Sequence, residues 1–434
     1  MRHFHRWLLT VLFGLSLATR AQSDCPPAPK LAEGKPFKFI IPNGWTKEQK
    51  RACQLKPEDF WTAVQNGQRI EVRNALIIAP LTLTGQVDES GSRISLTNCV
   101  VEGPVDFSRV HFKGRIDLSG TTFMSRVSWD GATMDENVLM RGTIFRGHAS
   151  FRDAKFGASL SADGARFREE ADFSQVAVAG WASFRGATWR KRASFAGAQI
   201  RQAHFGGARF QGYARFLGAE FERTAIFESA TFEQEADFTS ARMRGDTHFK
   251  RAVFRGWARF SHAQFDADAE FERADFQYPI FREVSVGRDA DFRKARFRGR
   301  AEFYRADIGA DADFAQASFD DNATFAQAEV GGTGKFVAAR FKRDADFSLT
   351  RFGSGVSLER ARLHGGTVFR NSQMRTLMLG EGSERVRIYG TLDLHGCAYD
   401  ALAPLEPPPA WKSLLIELRL ICGTSWGGCD ILRA

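Results

Sequence analysis

Beyond residue 100, apolar side chains return at a fixed interval. Residues 290–297 read ADFRKARF, 301–308 read AEFYRADI, 312–319 read ADFAQASF and 323–330 read ATFAQAEV. The unit has 11 residues, A-x-F-x-x followed by A-x-F-x-x-x. The first Phe column starts at Phe107 and advances in elevens to Phe195. It loses one residue before Phe205, loses another before Phe281, and ends at Phe369. Twenty of its 25 positions are Phe, and the others are Leu118, Trp129, Met140, Ala162 and Leu358. A second column, five residues later, runs from Phe112 to Met374. It holds 15 Phe, and every exception is Met, Val, Ile, Leu or Trp. The residue two before each column position is small, usually Ala. The residue between is often polar, as at Asp106, Asp172, Asp237, Asp291, Asp313 and Asp346.

Side chains two apart share a face of extended chain. The pattern therefore predicts short strands with Phe and Ala inside and the intervening residue outside. A helix fails the same test, because residues 0 and 5 lie about 140° apart around it. Gly at the repeat corners, as at Gly186, Gly197 and Gly218, also argues against helix. The fold class expected is all-β, a solenoid of stacked coils. Phe292, Phe297, Phe303, Phe314 and Phe319 represent its core. Two interruptions, around Leu160–Gly164 and at Pro279, are expected to be bulges or loops.

Composition sharpens this reading. The chain of 434 residues has 40 Phe against 5 Tyr, and the two columns take all but five of the Phe. The Phe excess is thus committed to burial and says little about ligands. Hydrophobic content of 43% with 26% charge excludes a polytopic membrane protein and a disordered chain.

The ends differ from the middle. Arg2 and Arg6 flank an apolar run from Trp7 to Ala18, and Thr19-Arg20-Ala21 places small residues before a cleavage point. Residues 1–21 are expected to be a signal peptide; a retained signal anchor is the alternative. Residues 22–68 form an N-terminal segment with a capping helix over Pro57–Gln65. Residues 69–400 carry the repeat. Residues 401–434 form a Pro-rich link and a tail whose Trp411–Leu420 segment reads as a second capping helix, or as a helix lying on a membrane. Export places the chain in the periplasm or outside a Gram-negative cell. Disulfides are then expected at Cys25–Cys53 and Cys422–Cys429, with Cys99 and Cys397 as small buried thiols.

Candidate chemistry is sparse. Val330-Gly-Gly-Thr-Gly-Lys335 lacks the spacing of a phosphate-binding loop, and Gly334-Lys335-Phe336 fills an ordinary repeat slot. The acids Asp266, Asp268, Glu270, Asp311 and Asp313, and the histidines His111, His204 and His248, occupy outward positions. No catalytic residue, metal site or cofactor is expected. Net charge is +9. Arg296, Arg340, Arg351 and Arg362 share one outward slot and are expected to form a basic stripe for an acidic glycan, a phosphate-bearing lipid or an acidic protein.

The repeats ADFRK and ARFRGR of residues 290–300 resemble the pentapeptide-repeat family, with one extra residue in alternate blocks. The resemblance covers about residues 70–400. It implies a right-handed, quadrilateral parallel β-helix, to which the helices read at both ends of the repeat add short helical caps. Acidic members of that family mimic DNA and bind DNA gyrase, a mode that a basic, exported chain does not suit. The expected function is a non-enzymatic scaffold that binds a protein or glycan of the cell envelope, without nucleic acid. A polysaccharide-active enzyme and membrane association through the tail are the alternatives.

Overall fold

A computed structural model describes residues 25–26, 35–83, 85, 87–88, 91–399 and 401–403. The expected signal peptide, the Cys422–Cys429 pair and the helix over Trp411–Leu420 lie outside the described residues. The chain forms two compact units, Met1–Lys191 and Arg192–Ala434. Each is a parallel β-solenoid.

In the first unit, one coil consists of four short strands: His111–Phe112, Ile116–Asp117, Thr122–Phe123 and Val127–Ser128. Thr133–Met134 then pairs in parallel with His111–Phe112, and Ile116 faces Val138. A coil is therefore two 11-residue units, and residues 22 apart stack. The second unit repeats this, with Ala290 opposite Ala312 and Phe297 opposite Phe319. Where a column drops one residue, the step shortens, as between Gln264 and Ser285.

The first unit is closed at its start. Strand Phe37–Ile40 pairs with Ile70–Arg73, and that strand pairs with Ile94–Thr97. The helix Lys47–Ala52 begins at Thr46, whose hydroxyl accepts from Gln49 N while the Gln49 side chain accepts from Thr46 N. Lys47 and Arg51 bind Glu102 on the first coils, and the Lys47 ammonium holds the Glu102 carboxyl below the usual range. The helix Pro57–Gln65 buries Phe60, Ala63 and Val64, and Trp61 meets Phe107 edge-on at 5.8 Å. The start of the Phe column is thus covered by an aromatic side chain. The Cys25–Cys53 disulfide ties the preceding segment to this cap.

Inside the coils the first Phe column divides into two stacks, half a coil apart, that build a regular lattice, and second-column rings such as Phe297 and Phe319 stack beside them. Phe292 and Phe314 stack at 4.9 Å and 1°, and Phe303 and Phe325 at 4.9 Å and 3°. Phe303 meets Phe292 and Phe314 edge-on, both at 5.3 Å. Ring separation along a stack matches the spacing of hydrogen-bonded strands, and both arrangements suit the aromatic quadrupole. All five core residues named from sequence are buried. Ala fills the facing positions. At Thr143 and Thr350, which replace it, the hydroxyl donates to a carbonyl of the coil before, Leu118 O and Phe325 O respectively.

The polar residue before each first-column Phe has a structural task. Asp106, Asp172, Asp291, Asp313 and Asp346 each accept from the backbone N–H two residues on. That bond tightens a turn whose next residue has positive φ, such as Arg109, Lys294 or Gln316. At another corner glycines stack: a Cβ on Gly331 would lie 2.2 Å from Gly309 O, and one on Gly353 would lie 2.0 Å from Gly331 O.

One expected interruption is absent. Leu160–Ser161 is an ordinary strand, paired with Val138–Leu139 and with Ala182–Ser183, and Ala162 is a small but buried column member. The other is real. The register shifts between Phe254 and Trp257 where they face Phe276 and Tyr278, and Pro279 sits buried opposite Ala258.

The lattice predicts that Phe314→Ala costs about 3–5 kcal/mol, whereas Asp313→Ala costs about 1 kcal/mol, a lost cap. Denaturant melts of both variants would test the assignment, and equal effects would refute it. Burial pushes the Cys99 thiol up to about 12 and the half-buried Cys397 thiol up to about 11. Neither should label with iodoacetamide at pH 8 in the native protein, and both should label in denaturant, as read by peptide mass spectrometry.

Candidate functional site

The outer surfaces carry ladders of ion pairs between adjacent coils. Arg152 reaches Asp172 and Arg185 reaches Asp163, each at 2.8 Å. In the second unit Arg259 holds Glu235 at 2.7 Å, Arg298 holds Asp275 at 2.6 Å and Lys335 holds Asp311 at 2.6 Å. The acids singled out from sequence belong to these ladders. Asp266 binds Arg242, Asp268 binds Arg288, and Glu270 binds His248 and Lys250. His111 pairs with Asp135. Among the described residues no group of His, Cys, Asp or Glu is placed to hold a metal ion. No helix among them is long and apolar enough to cross a membrane.

The four arginines of the expected stripe separate into two groups. Arg296, Arg340 and Arg362 lie on one ladder, with Ser318 between the first two. Arg351 does not. It pairs with Glu329 on a strand of another face, because residues 11 apart are half a coil apart and only residues 22 apart stack. Arg296 is neutralised by Asp320 at 2.8 Å, and Arg351 binds Glu329 at 3.2 Å. The stripe of four is therefore corrected to a pair, Arg340 and Arg362.

That pair is joined by residues the repeat pattern conceals. Arg387 faces Arg362 on the next strand, 25 positions on instead of 22. The extra length forms a loop, Gly380–Arg385, closed by the bond from Val386 N to Leu379 O at 2.7 Å. Gly380 turns into it with φ 74°, and a Cβ there would lie 2.1 Å from Glu384 O. The loop contains a 3-10 turn, Gly382–Glu384, and Arg360 N donates to Glu384 O at 2.6 Å. Arg340, Arg360, Arg362, Ser383, Arg385 and Arg387, with Ala338, line a groove of about 240 Å³.

Its charge is largely unneutralised and gathered in one concavity. Arg360 has a carboxylate partner, Glu384, at 2.7 Å. Arg340, Arg362, Arg385 and Arg387 have no carboxylate partner among the described residues. The Arg385 Nε is buried and also lacks a hydrogen-bond acceptor there. Arginines opposite one another on a ladder repel, so this arrangement opposes folding locally while concentrating positive potential in a concavity. A longer coil at residues 379–390 was the available sequence signal, since it breaks the 22-residue step.

A second exposed feature is aromatic. Trp257 and Tyr278 are 45% and 43% exposed and stack at 4.9 Å, beside the register shift. Arg259 covers the Trp257 ring at 5.4 Å and is itself held by Glu235. The sequence offered no period for this pair, because a dropped residue brings the rings together.

The family model for pentapeptide repeats matches residues 92–133, 130–177, 141–188, 179–220, 227–275 and 281–329, which together span more than half of the chain. The chain belongs to the pentapeptide-repeat family. Among solved structures it is similar to HetL, a pentapeptide repeat protein involved in heterocyst differentiation regulation from the cyanobacterium Nostoc sp. strain PCC 7120. Identity is 13%, coverage is 79% of this chain and 96% of that one, and the TM-score is 0.17. No curated protein matches the chain. In this pentapeptide-repeat protein the arginine groove is a departure from the repeat, and not a product of it.

Removing charge should separate the two kinds of arginine. Arg296→Gln breaks the pair with Asp320 and should lower stability by up to about 1 kcal/mol. Arg362→Gln relieves repulsion and should leave the melting temperature unchanged or raised. A lower melting temperature for Arg362→Gln than for Arg296→Gln would contradict the geometry.

Proposed function

We propose that this protein is an exported, non-enzymatic scaffold that binds an acidic component of the cell envelope, glycan or protein, in the arginine groove. One observation carries the reading: four guanidinium groups without carboxylate partners among the described residues converge on one concavity, while Arg298 and Lys335 of the same unit are each neutralised. Arg is the residue suited to planar, two-pronged recognition of oxyanions. The acids on the coils favour binding over turnover, because they are engaged in turn caps and ion pairs. The stacked Trp257–Tyr278 pair adds a flat contact face to the same unit. Export is supported by the leader-like residues 1–21 and by the Cys25–Cys53 disulfide, a bond that persists in oxidising compartments.

Retention on immobilised polygalacturonate tests the binding. The protein should be retained at low salt and released as salt rises, because exposed charges are screened. Combined Arg340→Gln, Arg362→Gln and Arg387→Gln should abolish retention, and combined Arg296→Gln and Arg351→Gln should not. Equal retention by both variants would sink the groove, and release of new reducing ends would sink the non-enzymatic reading. Export predicts a mature chain beginning at Gln22 in the periplasmic or culture fraction, read by N-terminal sequencing.

A further inference from the structure

Resting on the groove reading, we infer that its ligand group is a phosphate monoester and not a carboxylate. The first argument is stoichiometric. A carboxylate carries one charge on two oxygens and neutralises one guanidinium, even where two share it as Arg282 and Arg300 share Glu302. Arg360 of the groove already has such a partner in Glu384, and Arg340, Arg362, Arg385 and Arg387 have none among the described residues. A phosphate monoester carries a charge of about −1.5 to −2 near neutral pH and offers three terminal oxygens. It matches several converging forks in one group.

The second argument is geometric. Arg340, Arg362 and Arg387 stand on consecutive strands of one ladder. Such strands are about 4.8 Å apart, within the reach of flexible arginine side chains toward a shared oxyanion. The adjoining corner contributes different donors. Ser383 supplies a hydroxyl from the 3-10 turn, and Arg385 supplies a buried Nε whose hydrogen has no acceptor among the described residues. A buried donor left unmade costs about 1–3 kcal/mol, and an oxyanion in the groove would remove that cost. The groove volume is about 240 Å³, many times what one water needs. It accommodates one phosphate group and the start of the molecule that carries it.

Isothermal titration of the full chain at low ionic strength tests this with inorganic phosphate, glucose 6-phosphate and glucuronate. Phosphate and glucose 6-phosphate should bind, and glucuronate should bind at least about tenfold more weakly. Affinity for glucose 6-phosphate should rise as pH passes through about 6, where the dianion forms, with no such rise for glucuronate. Arg362→Gln and Arg387→Gln should each weaken phosphate binding about tenfold with the melting temperature unchanged or raised, and Arg296→Gln should not weaken it. Tighter binding of glucose 6-phosphate than of inorganic phosphate points to a sugar ester. Preference for vesicles containing phosphatidate over both points to a lipid headgroup as the source of the same chemistry. If glucuronate binds as tightly as phosphate, the phosphate assignment is overturned while the groove reading stands. If no anion binds and polygalacturonate is not retained, both fall. Phosphate binding that survives Arg362→Gln combined with Arg387→Gln would place the anion elsewhere and overturn the assignment.

Discussion

Everything in each unit depends on the stacking of aromatic rings from coil to coil. A Phe ring has a natural stacking distance close to the separation of hydrogen-bonded strands. The ladder bonds and the ring contacts are therefore satisfied by one rise. Two first-column ring stacks set edge-on to each other fill the centre, flanked by second-column side chains, with Ala where a further large side chain would collide. Each buried Phe contributes about 1.5–3 kcal/mol, and the contribution recurs with every coil. This explains why Trp129, Met140, Ala162 and Leu358 can replace Phe without loss of register. It also explains why the corners carry the geometric stress, through capped turns with positive φ and glycines packed on carbonyls.

The exterior is subordinate to that interior and free to vary. Many charged side chains use the freedom to pair with a coil above or below, as Arg298 does with Asp275. Such exposed pairs are worth little individually, and neither the coil nor its register depends on them. The same independence lets Arg340, Arg362 and Arg387 persist with no carboxylate partner among the described residues. Their repulsion is small beside the burial beneath them, where Phe341 and Leu363 are buried on adjacent strands. A surface that opposes folding locally can be kept for binding when the core does not notice it.

The strands, the inward columns and the outward acids could be read directly from sequence, because each is a property of spacing along one strand. Phe292, Phe297, Phe303, Phe314 and Phe319 were placed correctly by period alone. The turn-capping role of Asp313 and its counterparts was hidden, since an outward polar residue looks the same whether it meets water or a backbone N–H. The slip inferred at Leu160–Gly164 was a change of residue size at Ala162, with no change of path.

The division is sharpest at the arginines. The sequence determined that a basic residue recurs in one slot at Arg340, Arg351 and Arg362. It could not determine which of them meet, because an 11-residue unit is half a coil and the closing of the coil is a tertiary event. Only the folded chain put Arg351 against Glu329, set Arg362 beside Arg387, and used three extra residues to bring Arg385 and Ser383 to the same groove. Periodicity decides which way a side chain points. Which charges become neighbours is decided by the parallel pairing of strands 21, 22 or 25 residues apart, and that register exists only once the coils have stacked.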